Sequence, residues 1–149
     1  MRKHLFLFTN LSLITNIIIS MEKNILKLLT PKDKVAYIEP DMSVRQGLEK
    51  LRAHGYSRIP VINKDGTYFG VVSEGDFLWN IMNDNVITIE ELEKKKVKDI
   101  IKKKIPSCKI DVSYNELLKI ITNYNFVPIV DDRNILMGII TRKSVIDNI

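Results

Sequence analysis

Two short segments carry residues able to hold a phosphorylated ligand, Ser73-Glu74-Gly75-Asp76 and Thr141-Arg142-Lys143-Ser144. In each, a hydroxyl stands where an apolar strand-like run gives way to a helical one. It sits beside backbone N–H groups without helical acceptors and at the positive end of a helix dipole, which suits an anionic oxygen. A carboxylate three residues on, as Asp76 is from Ser73, can accept protons from two ribose hydroxyls; the same Ser-x-x-Asp spacing is also an ordinary helix cap. The two turns differ in charge, the first holding Glu74 and Asp76, the second Arg142 and Lys143. Asp76 therefore suits a ribose, whereas Arg142 beside Thr141 suits a phosphodiester, because a guanidinium fork matches two anionic oxygens. A basic turn is also what some solvated helix faces look like.

Bond-making chemistry has no comparable support. The histidines are His4, in an atypical leader, and His54, at the end of a predicted helix where it reads as exposed or capping. No Cys-His, Ser-His-Asp or His-rich metal spacing can be assembled around them, so neither catalysis nor a metal or other cofactor is expected. The single cysteine, Cys108, excludes an internal disulfide framework and reads as a small strand residue in a reducing, cytoplasmic compartment. Lys94-Lys95-Lys96 and Lys102-Lys103-Lys104 raise nucleic-acid binding, but Glu90, Glu91, Glu93 and Asp99 interleave with them and no known nucleic-acid motif accompanies them. The formal charge of +5 owes two of its units to Arg2 and Lys3, leaving a mild excess.

The elements that must position the two turns form an internal repeat. With 149 residues, 45% of them hydrophobic, the chain can bury a real core. Residues 1–20 stand apart as a basic start followed by an apolar run broken by Asn and Thr. They fit a signal peptide poorly and a membrane segment marginally, and Met21-Glu22-Lys23-Asn24 reads as a natural start. Membrane attachment is expected only if that leader is retained. Beyond it, Tyr56-Ser57-Arg58-Ile59-Pro60-Val61-Ile62 matches Tyr124-Asn125-Phe126-Val127-Pro128-Ile129-Val130, and Gly70-Val71-Val72-Ser73 matches Gly138-Ile139-Ile140-Thr141 in the same register.

Each copy reads as β-α-β-β-α. Ser43-x-x-Gln46 and Ser113-x-x-Glu116 are capping boxes that start helices. Val44, Leu48 and Leu51, and Leu117, Leu118 and Ile121, recur at helical spacing as buried stripes. Residues 59–62 and 127–130 are β-branched runs ending in turn formers, with return strands over 68–72 and 135–140. Gly70 and Gly138 lie in those return strands, where a missing side chain permits a close approach or a bulge. Short β segments over 36–38 and 107–110 open the copies. The expected division is a leader over 1–20, a first copy with an N-terminal arm over 21–83, a linker helix and the helix leading into the second copy over 84–104, and a second copy over 105–149.

The Tyr-x-x-hydrophobic-Pro-Val strand from Tyr56 to Val61 and the Gly-h-h-Ser-x-x-Asp turn from Gly70 to Asp76 resemble the CBS-domain family over about residues 30 to 149; in the second copy the family aspartate is Ser144. The resemblance implies a mixed α/β fold of two tandem repeats related by pseudo-two-fold symmetry, and adenosine compounds as ligands. Asp33-Lys34-Val35-Ala36-Tyr37, the Tyr56 strand, Ile87-Thr88-Ile89-Glu90-Glu91-Leu92 and the Thr141-Arg142-Lys143 turn together are similar to the stand-alone cyclic-di-AMP-binding CBS proteins of the CbpB/DarB type. Position by position, that likeness implies a ligand set of Lys34, Ala36, Ser57, Ile59, Pro60, Thr141, Arg142 and Lys143. Lys143 stands where a second arginine is frequent, and Ser57 where a threonine is. AMP, ADP or ATP is the alternative ligand, in a second cleft of Ser73, Asp76, Val127 and Pro128. The resemblance further implies a homodimer through the second helices, here with Phe77, Leu78, Trp79, Ile81 and Met82, and an unidentified target enzyme.

Overall fold

The computed structural model describes residues 10–16, 25–83, 88–102 and 104–149. Of the expected leader, only residues 10–16 are described; they are helical, with Leu11, Leu13 and Ile14 exposed. No helix among the described residues is long and apolar enough to cross a membrane.

The first repeat forms as its pattern dictates. The Ser43 hydroxyl accepts from the Gln46 N–H while the Gln46 side chain accepts from the Ser43 N–H, and helix α1 (Val44–His54) runs from that box to Gly55, whose φ of 63° closes the helix in the left-handed region. Strands β2 (Arg58–Ile62) and β3 (Tyr68–Ser73) pair antiparallel, and α2 (Glu74–Asn83) leaves β3 at Ser73. Two short helices, α3 (Ile89–Lys94) and α4 (Val97–Ile100), follow. The second repeat repeats the plan with β4 (Cys108–Lys109), α5 (Tyr114–Ile121), β5 (Phe126–Val130), β6 (Leu136–Thr141) and α6 (Arg142–Asp147). The Ser113 box caps α5.

The pseudo-symmetry extends to single bonds. Ile59 faces Val72 as Val127 faces Ile140, and the registers shift at Val61/Ile62 and at Ile129/Val130. The Glu74 N–H donates to the Ser57 carbonyl at 3.0 Å, and the Arg142 N–H to the Asn125 carbonyl at 2.8 Å. The opening strands are shorter than expected. Ile38 makes one parallel bridge to Val61, and β4 spans two residues beside β5. Pro40, which has no N–H to donate, lies two residues beyond Ile38 and limits the first.

The sequence pattern does not reveal the route of the N-terminal arm. Residues 25–28 are helical and β1 (Leu29–Pro31) pairs antiparallel with β6, so the arm of the first repeat completes a four-stranded sheet, β1-β6-β5-β4, in the second. Ile25 and Leu28 are buried in that repeat's core with Leu117, Ile121, Val127, Ile129, Ile140 and Val145. The chain then turns through Lys32–Lys34 and returns to Ile38, in a first core shared with Val44, Leu51, Ile59, Val61, Val72, Phe77, Val97 and Ile100. Residues 32–36 are thus a strap between two cores.

The expected helical stripes are buried at Val44, Leu51, Leu117 and Ile121, with Leu48 and Leu118 half-buried against the cores. Phe77, expected on a dimer surface, instead fills the first core, because its place on α2 faces the sheet; Leu78, Trp79 and Met82 remain exposed. The segment before α4 is laced to the start of α1, with the Val44 N–H donating to the Lys95 carbonyl at 2.8 Å and the Val97 N–H to the Met42 carbonyl at 2.9 Å. Ser43 therefore caps a helix and holds a junction. We expect Ser43→Ala to cost about 1 kcal/mol in chemical denaturation, with an unchanged m-value.

Candidate functional site

A cavity of ≈430 Å³ opens between the strap and the two repeats. The strap supplies Thr30, Lys34, Val35 and Ala36 to one wall. The segment from Gly55 to Arg58, together with Pro60, forms a second, and Asn125, Phe126, Ile139 and Thr141 of the second repeat form the third. Each wall has a structural cause. Gly55 turns the chain sharply out of α1, β1 fixes the strap against β6, and the β5–β6 pairing sets Phe126 opposite Thr141. The lining is mostly apolar with a few polar groups, the usual make-up of a small-molecule site.

Of the residues singled out by sequence, Lys34, Ala36, Ser57, Pro60 and Thr141 come together here. Ile59 does not line the cavity; strand alternation turns it into the first core, fully buried. The Arg142 side chain is also elsewhere. Its Nε donates to the Ile121 carbonyl at 3.1 Å and its Nη2 to the Thr122 carbonyl at 3.3 Å, at the end of α5. Lys143 is exposed and paired with Asp147, one helical turn on. The Thr141 hydroxyl oxygen accepts from the Ser144 N–H at 3.0 Å and caps α6. Thr30, Tyr56, Arg58, Asn125, Phe126 and Ile139 line the cavity without having been singled out as ligands. The repeat match itself holds a signal for some of them, since Ser57 and Asn125 are equivalent positions, and Asn125 Nδ2 lies 3.5 Å from Ser57 Oγ, at the long limit of a hydrogen bond.

The pseudo-symmetric cleft is smaller, ≈270 Å³, and is lined by Arg58, Val71, Ser73, Asp76, Ile105, Asn123 and Tyr124. Asp76 Oδ2 accepts from the Ser73 N–H and hydroxyl, each at 2.9 Å, and the Asp76 N–H donates to Ser73 Oγ at 3.2 Å. The carboxylate thus serves the helix cap and also fronts the cleft. Val127 and Pro128, expected in this second site, do not line it; both lie buried in β5. The wall between the clefts is apolar, with Val71, Ile105 and Phe126 forming a third cluster against Tyr68, Tyr124 and Ile139. The Tyr68 hydroxyl donates to the Ile105 carbonyl at 2.7 Å. Burial, with Tyr124 beside it, pushes this phenol well above its ordinary range, so it acts as a neutral donor.

The Cys108 thiol is pushed up by burial and then by Glu116, which disfavours the reactive thiolate. Among the described residues no group of three or more His, Cys, Asp or Glu side chains could hold a metal ion.

The CBS domain family profile matches residues 24–83 and 97–149, and the chain belongs to that family. Its likenesses include the CbpB/DarB type. The cyclic di-AMP receptor B of Bacillus subtilis (strain 168) is 24% identical over 126 residues, which cover 85% of this chain and 86% of the receptor. A crystal structure of CbpB in complex with c-di-AMP superposes with a TM-score of 0.75 at 27% identity, covering 82% of this chain and 81% of that one. A crystal structure of CBSX2 in complex with AMP has a TM-score of 0.68 at 27% identity, covering 82% and 92% of the two chains.

Proposed function

We propose that this chain is a non-catalytic regulatory protein that takes an adenine nucleotide, cyclic-di-AMP foremost, into the cavity beneath the strap and thereby controls a partner protein. The observation that carries the reading is the convergence of Lys34, Ala36, Ser57, Pro60 and Thr141, from the arm and both repeats, on one cavity. Lys34 offers a cation to a phosphate, Ser57 and Thr141 offer hydroxyls, and Pro60 and Ala36 give apolar surface to a base. The c-di-AMP bound in the CbpB structure supports the same choice. Arg142 and Lys143 enter this reading as residues that exchange present partners for ligand: the guanidinium leaves two neutral carbonyls of α5 for two phosphodiester oxygens, whose negative charge and paired geometry match its fork. A ligand touching the arm and both repeats alters their relative stability, and that difference is what a target enzyme can sense. Homodimerisation through exposed Leu78, Trp79 and Met82, and cytoplasmic residence, belong to the same reading.

The second reading, an AMP, ADP or ATP sensor, is favoured by the cleft at Ser73 and Asp76 and by the AMP bound in the CBSX2 structure. Calorimetric titration of the full chain with cyclic-di-AMP, AMP and ATP in parallel separates the two. We expect cyclic-di-AMP to bind, and Arg142→Ala to weaken it by about 10- to 100-fold, the loss of a charge-assisted contact. Binding of AMP or ATP alone, abolished in Asp76→Ala, overturns the first reading in favour of the second.

A further inference from the structure

Arg58 lies in the lining of both clefts. Its equivalent in the second repeat is Phe126, so the pseudo-symmetry that relates the clefts is broken at this position, and one half-buried guanidinium serves two cavities. Among the described residues this guanidinium has no ion pair or hydrogen bond. Arg45 pairs with Glu49 and Glu93, Arg133 with Asp131, and Arg142 with the carbonyls of α5, while Arg52, likewise without such a partner, lines neither cleft. Five N–H donors at the junction of two cavities are available to an anionic ligand.

The charges on either side make the sharing unequal. Without Arg58, the larger cavity still holds Lys34, whereas among the described residues the only charged side chain lining the smaller one is Asp76. A phosphate in the larger cavity that engages Arg58 therefore leaves the smaller cleft with a net negative lining. We propose that Arg58 is a phosphate-binding residue shared by the two clefts, so that a phosphorylated ligand under the strap excludes a second one from the Asp76 cleft. The inference rests on reading these clefts as nucleotide sites, and it adds a stoichiometry that the symmetry of the repeats does not suggest. An uncharged nucleoside is exempt, because it neither draws on the cation nor repels the carboxylate.

The test is titration of the full chain with AMP, adenosine and pyrophosphate. Wild-type protein takes up one equivalent of AMP, with any second equivalent at least about tenfold weaker, the scale of a charge-assisted hydrogen bond. Arg58→Gln weakens the first AMP by about 10- to 100-fold, abolishes pyrophosphate binding and leaves adenosine affinity unchanged, which also shows that the variant is folded. Arg58→Lys restores part of the loss. Two equal AMP sites in wild type, or AMP affinity unchanged in Arg58→Gln, overturns the proposal while the nucleotide reading stands. Pyrophosphate binding that depends on Arg58, without binding of any adenine compound, keeps the shared anion site and sinks the nucleotide reading. If neither these probes nor cyclic-di-AMP binds, both fall.

Discussion

Gly138→Ala unseats the N-terminal arm, whereas the equivalent change Gly70→Ala is nearly silent. An ideal Cβ at Gly138 lies 2.2 Å from the Thr30 carbonyl oxygen and 3.1 Å from the Pro31 Cα, both backbone atoms of β1. Neither can rotate away, and the Pro31↔Gly138 register holds β1 against β6. At Gly70 the nearest atoms are the Ile101 side-chain carbons at 3.7 and 3.9 Å, an ordinary contact. Overpacking a rigid position costs about 1–3 kcal/mol, so Gly138→Ala should melt about 5–10 °C below wild type. Gly70→Ala should stay within about 1 kcal/mol of it, helped by the entropy that alanine withholds from the unfolded chain. The binding readout is as informative. The strap that carries Lys34 and Ala36 is continuous with β1, so loss of β1 pairing lowers affinity for the nucleotide proposed above. Equal melting temperatures for the two alanine variants would refute this account of the arm.

The contrast shows where local pattern stops being informative. The sequence marks both glycines as sites of close approach, but only one of them is approached, and nothing in the two matched strands says which. What distinguishes them is β1, three residues of Leu-Thr-Pro too short for a period-2 signal, whose partner strand lies more than a hundred positions away. Local features were legible: both serine capping boxes, both hairpins and both Ser/Thr starts of the last helices are where residue chemistry puts them.

Arg142 shows the same limit within the site. Helix α1 ends on Gly55, whose left-handed backbone returns its N–H to the Arg52 carbonyl. The matching residue after α5 is Asn123, and there the Ile121 and Thr122 carbonyls take the guanidinium of Arg142. The first repeat has Glu74 at the equivalent place, which cannot donate. Basic charge at the second turn therefore has a structural use alongside its proposed binding one, and only a three-dimensional contact between α5 and α6 reveals it. The apolar lining was hidden for a related reason: Phe126 and Ile139 read as core strand residues, and they are half core and half cavity wall.

The arm also decides what a minimal functional chain is. A protein beginning at Lys32 keeps every side chain of the cavity except Thr30, so on lining alone it should bind ligand normally. We expect it to fail. It lacks Ile25 and Leu28, which are 2% and 4% exposed in the second core, and burial of two such side chains contributes about 3–6 kcal/mol. That is a large part of the stability of a domain this size, about 5–15 kcal/mol. It also uncovers the β6 edge, which then presents unpaired N–H and carbonyl groups between Leu136 and Thr141 and favours self-association. Thermal melts should place this chain about 10 °C or more below one beginning at Met21, and light scattering should show larger species. Its nucleotide affinity should fall because Lys34 then hangs from a free end and its ordering must be supplied by the ligand. The chain beginning at Met21 is the control, since it retains the arm and removes only residues 1–20. If the Lys32 chain melts and binds like that control, β1 is a passive edge strand and the strap needs no anchor. If it loses affinity while Arg58→Gln in the full chain keeps adenosine binding intact, the anchored strap and the shared guanidinium act separately, the first holding the cavity closed and the second selecting for phosphate.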